Sequence, residues 1–454
     1  MTNVLFIVME FVPLNLAGVR RPLRFINAMR SAGFNPIVVT MDVDDGFNDS
    51  GYKIDKTLLS ELDPDVTVIR IPALRLSSFT DTRWKRLANI YFNRTDNFLK
   101  AWAPALNNEM PVIIERFRPK AIVTTCPPFS SAVLGRDLSR RYRIPLFLDM
   151  RDAWAKLSMV PAGSRLHYLS KLHLERRCFR QASVVSTVTP QLRKILSHSH
   201  PGLHGTKFRV IFNAFDIDTE RLPPFRSRPI GTEGKIDIGY AGSYYYHPDT
   251  QGDKPLAPWW RKGHRSLRYY PVKEDWSYRS PLYFLKALSL LLQRRGDWKE
   301  KVFFNHIGDI PEWLRDMVRG MGLEGNVVFH GHRPHNETVQ LLSGFDYFLA
   351  TSEKVLGDEH YCLPSKLFTY LKFGKPVLGF LTEGIQASFV SQSGMGLVVD
   401  PDDTESAATI LEDVLSCGYE ETPNKDYLDG FSSRSTNREF VDTLAEVIRS
   451  ANAS

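Results

Sequence analysis

Cysteine is scarce in this sequence and scattered. Cys126, Cys178, Cys362 and Cys417 are the only four in 454 residues, and no two stand in a Cys-x-x-Cys spacing. That excludes a disulfide framework and a thiolate zinc site, and fits a reducing cytoplasm. Long apolar runs are missing as well: a spanning helix needs roughly 18 apolar residues in a row, and no such run occurs, so any membrane contact is expected to be peripheral. The N-terminus is apolar but has no basic n-region and is interrupted by Glu10, which predicts a buried first strand instead of a signal peptide. Dense Lys/Arg clusters are absent; 58 basic against 51 acidic residues leave a net charge of +7, which favours a phosphorylated ligand or an anionic membrane surface and no nucleic acid. There is no Gly-x-Gly-x-x-Gly, hence no dinucleotide fingerprint, and no carboxylate or histidine cluster of ligand spacing, hence no metal is expected. Disorder is excluded too, since 43% of the residues are hydrophobic and only 24% charged.

Present throughout are short β-branched runs alternating with longer amphipathic stretches, the pattern of βα units around a parallel sheet. Val4–Met9, Pro36–Thr40, Val66–Ile71, Ala121–Thr125, Pro145–Met150, Ser183–Thr187 and Arg209–Phe212 read as strands, with helices over Arg20–Ala32, Ser130–Tyr142 and from about Leu166 to Gln181. Residues 217–234 hold three prolines and two glycines and read as a linker. The alternation restarts at Ile236–Ser243 and runs through Val302–Ile307, Val327–His330, Tyr347–Ala350, Pro376–Phe380 and Leu397–Val399. The fold class expected is therefore α/β, with two doubly wound Rossmann-like domains facing across a cleft. The expected domains are 1–216, 235–432 with an aromatic insertion over 245–280, and a C-terminal helix in 433–454 that crosses back to the first domain. The insertion holds eight aromatics without a clear period, which suits either an ordered surface cluster or acceptor or membrane contact.

Four places carry candidate chemistry. Gly18, Arg20 and Arg21 precede a helix after the first strand, where amides and guanidinium forks suit a diphosphate or carboxylate, unless the glycine only turns the chain and the arginines are solvated. Arg151 and Asp152 stand at the end of the strand Pro145–Met150; a carboxylate beside a fixed cation suits hydroxyl binding or proton acceptance, and a structural ion pair or helix cap would account for it equally. Pro364-Ser365 opens a helix that Gly374 closes, with Lys366 in the first turn, where a cation is tolerated best when it and the helix amides share an anion; the alternative is a lysine pointing into water. Arg83–Arg86 followed by Ile90, Tyr91, Phe92, Phe98, Leu99 and Trp102 suits a lipid-linked acceptor at a membrane surface, or else a core-facing helix with a basic end.

The ordered set of the Gly18-Val-Arg loop, CPPFSSAVLG (Cys126–Gly135), DMRDAW (Asp149–Trp154), NAFD (Asn213–Asp216), YAGS (Tyr240–Ser243) and LPSKLFTYLKFGKPVL (Leu363–Leu378) resembles GT-B retaining glycosyltransferases of the family-four type, in the branch that builds bacterial exopolysaccharide and lipopolysaccharide. The resemblance implies a nucleotide-diphosphate-sugar donor in the second domain and a saccharide or lipid-linked acceptor in the first, with no further cofactor. It implies that Gly242, Ser243, Ser365 and Lys366 lie at the diphosphate. Glu359 falls near the first motif glutamate, which contacts the donor sugar. Thr369 stands where the second motif glutamate binds the ribose, Arg151 where the family has a histidine, and Asp152 is the acid beside it. The usual Arg and Lys pair after the glycine of the donor domain is absent, which leaves Lys366, Arg20 or Arg21 to neutralise the diphosphate. A cytoplasmic enzyme at the inner face of the membrane follows. The alternatives are a sugar-nucleotide epimerase or hydrolase on the same fold, which should show a carboxylate and histidine set that the sequence does not reveal, and a non-catalytic binding protein with a degenerate donor site.

Overall fold

The computed structural model describes residues 1–42, 54–157, 161–203, 207–216, 218–231, 234–244, 246 and 267–452. Within them the chain forms two α/β units, each around its own parallel sheet. The first unit takes residues 1–214, 267–271 and the C-terminal segment from Ser433; the second takes the chain from Phe215 and from Val272 to Ser432.

Seven strands build the first sheet: β1 Thr2–Ile7, β2 Phe34–Met41, β3 Thr67–Ile71, β4 Ala121–Cys126, β5 Leu146–Met150, β6 Val184–Thr187 and β7 Phe208–Val210. Their order is β3-β2-β1-β4-β5-β6-β7, all parallel. β1 lies inside this sheet, and Val4 to Ile7 are fully buried, which is why the first strand reads as an unbroken apolar run. Helices α1 Ala17–Ser31, α2 Arg83–Phe92, α3 Phe98–Phe117, α4 Ser130–Tyr142, α5 Arg165–Gln181 and α6 Pro190–Ser199 complete the βα units. The C-terminal helix Ser433–Asn452 belongs to this unit. Phe440 on it is fully buried, stacks on Phe25 of α1 at 4.0 Å and meets the edge of Phe147 of β5 at 5.2 Å. Burying such a ring contributes about 1.5–3 kcal/mol.

In the second unit, the strands in chain order are β8 Phe225–Ser227, β9 Ile236–Ala241, β10 Glu274–Asp275, β11 Val302–Ile307, β12 Val327–Gly331, β13 Tyr347–Thr351, β14 Lys354–Val355, β15 Val377–Phe380, β16 Gly396–Val399 and β17 Tyr419–Glu421. Six of them form the parallel sheet β12-β11-β9-β13-β15-β16. The stretch 217–234 is not featureless: β8 pairs antiparallel with β17. Two helices that the sequence pattern leaves unassigned, Ile385–Ser393 and Thr404–Cys417, cover this sheet. Of the aromatic insertion, residues 245 and 247–266 lie outside the described residues. Tyr269 joins the first unit by exchanging backbone hydrogen bonds with Ala162, and Glu274–Asp275 forms β10 against β14.

The basic aromatic stretch divides between core and surface. Phe98 and Trp102 of α3 are core residues, and Trp102 Nε1 donates to the Ile71 carbonyl at 3.2 Å, so these two are not available to a lipid. α2 has no buried residue and no acid in its first turn. Trp84, Ala88 and Phe92, four residues apart, share one face. Trp84 and Phe92 are each 80% exposed. Among the described residues no helix is long and apolar enough to cross a membrane.

Candidate functional site

In the first unit the candidate residues gather at the carboxyl ends of β1, β4 and β5. Arg21 and Asp149 form a buried bidentate pair, with Nε 3.0 Å from Oδ2 and Nη2 2.8 Å from Oδ1. The other Arg21 donors go to the Ile211 and Phe212 carbonyls and to Asn213 Oδ1. All five guanidinium hydrogens are thereby taken, which corrects the expectation that Arg21 neutralises a diphosphate: it has nothing left to donate. Asp149 also accepts from Thr125 and Ser186 hydroxyls. Burial by itself would raise its pKa, but the Arg21 charge and these bonds override it and hold the carboxyl below the ordinary range. Arg20, one residue earlier and turned outward, pairs with Glu61 at the surface.

Arg151 is pinned. Its Nη1 donates to the Gly18 carbonyl at 2.9 Å, its Nε to the Cys126 carbonyl at 3.3 Å, and its Nη2 to the Pro127 carbonyl. A Cβ on Gly18 would stand 2.6 Å from Arg151 Nη1, so the glycine serves to let the guanidinium lie against the loop. Gly18 and Arg151 are thus brought together, one residue along the chain from Asp152. Asp152 is half-buried, and its carboxylate has no hydrogen-bond partner among the described residues. Desolvation raises its pKa, opposed only by the neighbouring Arg151 charge. Such a carboxyl can accept a hydrogen bond or a proton from an incoming hydroxyl.

The second unit gathers its residues at the carboxyl ends of β9, β11 and β13, where open parallel sheets bind ligands. Gly242 has φ +132° and Gly308 φ +148°. A Cβ on Gly308 would stand 2.5 Å from the Gly242 carbonyl oxygen, so the two loops touch backbone to backbone and only glycine fits. Ser243 Oγ donates to Asp309 Oδ2 at 2.7 Å, and His306 Nε2 lies 2.9 Å from the Asp309 carbonyl. Lys366 reaches into this group. Its Nζ donates to Tyr240 OH at 2.6 Å and sits 3.9 Å from the Tyr240 ring centroid. A Cβ on Gly242 would come within 3.4 Å of it. Burial, then the charge of Arg279, bring the Lys366 pKa down to about 7. Ser365 is exposed at the start of the seven-residue helix Ser365–Leu371, and Thr369 donates its hydroxyl to the Ser365 carbonyl at 3.3 Å.

Glu359 is half-buried on the loop before that helix, and the buried carboxylate nearby is a different one. Glu353, just past β13, lies 3.0 Å from Arg279 Nη1 and 2.8 Å from His360 Nε2. Burial would raise its pKa; His360 and then Arg279 pull it down to about 2. This carboxylate and histidine set is buried, with Glu353 5% and His360 3% exposed. The positional rule that singles out Asp152, an acid at a strand's carboxyl end, applies equally to Glu353. Arg279 has no such signal, as it ends a segment without periodicity. Among the described residues no group of three His, Cys, Asp or Glu side chains could hold a metal ion.

Comparison with known families finds two matches. Residues 18–213 fit the model described as Glycosyl transferase 4-like domain, and residues 275–417 fit the one described as Glycosyl transferases group 1. No curated protein matches. Among solved structures the chain is similar to the lipopolysaccharide outer core galactosyltransferase WaaB in its apo form, at 12% identity over 98% of this chain and 99% of that one, with a TM-score of 0.57. It is similar to a glycosyltransferase from Rickettsia africae ESF-5, at 12% identity over 98% of each chain and a TM-score of 0.56. A third is Anabaena Alr3699/HepE in complex with UDP, at 16% identity over 98% of this chain and 100% of that one, with a TM-score of 0.52. At these identities the likeness is one of fold.

Proposed function

Two glycosyltransferase-family domains, covering roughly three quarters of the sequence on two Rossmann-like units, make this chain a GT-B glycosyltransferase, and from that premise we propose that it moves a sugar from a nucleotide diphosphate to an acceptor hydroxyl with retention of configuration. The single observation that carries the reading is Lys366, a half-buried amine set over Tyr240 beside the close-packed Gly242 and Gly308 backbones. A buried amine whose charged form lacks a carboxylate gains most from a bound anion.

In the reaction the bond from the anomeric carbon to the diphosphate oxygen breaks, and the bond to the acceptor oxygen forms. The acceptor's proton passes to an oxygen of the departing diphosphate. Lys366 stabilises that leaving group as charge builds on it, and the Gly242 and Ser243 backbone lies along it. Asp152, held ready by the pinned Arg151, orients the acceptor hydroxyl. Thr369 offers the ribose a hydroxyl that can still accept one hydrogen bond, in place of a bidentate carboxylate. UDP, which the HepE structure holds, is the first nucleotide to try, followed by GDP and dTDP.

Lys366→Ala is expected to weaken binding of the preferred nucleoside diphosphate by about 1–3 kcal/mol, as for loss of a charged hydrogen bond, measured by titration calorimetry. Unchanged affinity would mean that the anion lies elsewhere, and no heat from UDP, GDP or dTDP would overturn the donor reading.

The acceptor we propose is lipid-linked and belongs to cell-surface polysaccharide or glycolipid synthesis. The exposed Trp84-Ala88-Phe92 face of α2, bordered by Arg83 and Lys85, supports it, because aromatic rings insert at a bilayer interface while flanking cations meet anionic headgroups. Co-sedimentation with anionic vesicles at low salt should be strong for the natural chain and weak for Trp84→Ala/Phe92→Ala. No binding even at low salt would remove the membrane from the proposal.

A further inference from the structure

Arg279 closes the short turn Trp276–Arg279, which the β10–β14 pairing brings alongside residues 353–355. It is fixed from several sides. Nη1 lies 3.0 Å from the Glu353 carboxylate, the guanidinium carbon stands 5.4 Å from the Trp276 ring centroid, and the Arg279 carbonyl accepts from Thr351 Oγ1 at 2.8 Å. Its side chain remains 20% exposed. β13 pairs in parallel with β9, so Glu353, which holds Arg279, and Gly242, beside Lys366 Nζ, follow the carboxyl ends of neighbouring strands, and the Arg279 charge adds to burial in lowering the Lys366 pKa. Two like charges at neighbouring strand ends repel, and among the described residues nothing neutralises Lys366: Tyr240 offers it a phenol and a ring face, and Glu353 is committed to Arg279 and His360. A polyanion taken up by both removes that cost, and the planar fork of arginine suits two phosphate oxygens where lysine offers a point charge.

We propose that Arg279 is a second donor-binding residue, which with Lys366 grips the diphosphate of the nucleotide sugar. The proposal rests on the donor reading above and adds to it a residue that neither motif nor spacing reveals. Glu353 and Tyr240 are the positioning residues of the pair, one for each cation. The groups facing Lys366 are Tyr240 from β9, Arg279 from the turn, and His306 from the end of β11, with Asp309 acting on His306. His306 is held below its ordinary pKa, by burial first. With Lys366 brought to about 7, at pH 8 most of that amine is neutral in the free protein. Arrival of a diphosphate then draws a proton in.

The experiment is titration calorimetry on the full chain at pH 8, in buffers of different ionisation enthalpy, with UDP and with inorganic pyrophosphate as probes. Arg279→Gln is expected to weaken both at least tenfold, Arg279→Lys by a few fold, and the surface control Arg319→Gln not at all. Proton uptake on binding, close to one per site in the natural chain, should fall in Arg279→Gln, because Lys366 loses the repulsion that adds to burial in keeping it neutral. The uptake reports the Arg279 charge near Lys366; contact with the ligand is read from the affinity for inorganic pyrophosphate, which a role confined to holding Glu353 would leave unchanged. Should Arg279→Gln not fold, Arg279→Lys carries the test, as it keeps a charge on Glu353 while losing the fork. Natural-chain affinity in a folded Arg279 variant overturns the inference. If Lys366→Ala loses binding while the Arg279 variants keep it, this inference fails and the donor reading stands; if the natural chain binds neither probe, both fall.

Discussion

Arg21→Met is expected to destabilise the first unit by about 3–5 kcal/mol, the cost of stranding one member of a buried ion pair. The pair is 4% and 1% exposed, and Asp149 sits among groups chosen to suit its charged form: two guanidinium bonds and two hydroxyls. Removing the arginine leaves a carboxylate that burial alone would neutralise. The pH dependence has a definite sign. In the natural chain the Asp149 pKa is lowered, so its contribution is present above the ordinary carboxylate value, about 4, and is lost as pH falls through the lower folded value. In the variant that pKa rises, and stability falls as pH climbs through it. The gap between the two proteins should therefore be widest at neutral pH and close on acidification, as read by urea unfolding at several pH values. Arg21→Met/Asp149→Leu should recover part of the loss, since a matched apolar pair escapes the desolvation penalty.

Asp152→Asn should lower sugar transfer by about 10²-fold, the order for losing the group that orients a reacting hydroxyl. Nucleoside diphosphate affinity should stay as in the natural chain, because the donor cations Lys366 and Arg279 lie in the other unit. The raised pKa of Asp152 adds a second signature. The ionised carboxylate is the stronger hydrogen-bond acceptor for the incoming hydroxyl, so the rate should rise with pH through a limb above the ordinary carboxylate range, and Asp152→Asn should lack that limb. A variant with unimpaired transfer, or one that keeps the acid limb, would show that another group meets the acceptor.

The parallel strands were legible because strands buried on both faces must be apolar, and β1, β4 and β13 are nearly free of polar interruption. Helix limits follow less surely: the first helix runs over Ala17–Ser31 and not from Arg20, because Leu16 before it supplies no side-chain cap to mark its start. The site was legible where it depends on one segment, as with Lys366 in its helix and Asp152 at its strand end. It was opaque where it depends on a partner far away. Arg20 and Arg21 are adjacent and chemically identical, yet one helix step turns the first to water and the second to Asp149, 128 residues on. Arg279 meets Glu353 across 74 residues, and no spacing announces it.

The seating of Phe440 against Phe25 and Phe147 sets a timetable for synthesis. A ribosome making this polypeptide delivers all seven strands of the opening sheet long before the final helix that seals their core, whereas the intervening body has every strand it needs by Glu421. The part made first is closed later than the part made after it, and until that helix emerges the apolar faces that Phe440, Leu444 and Val447 cover stay open to water.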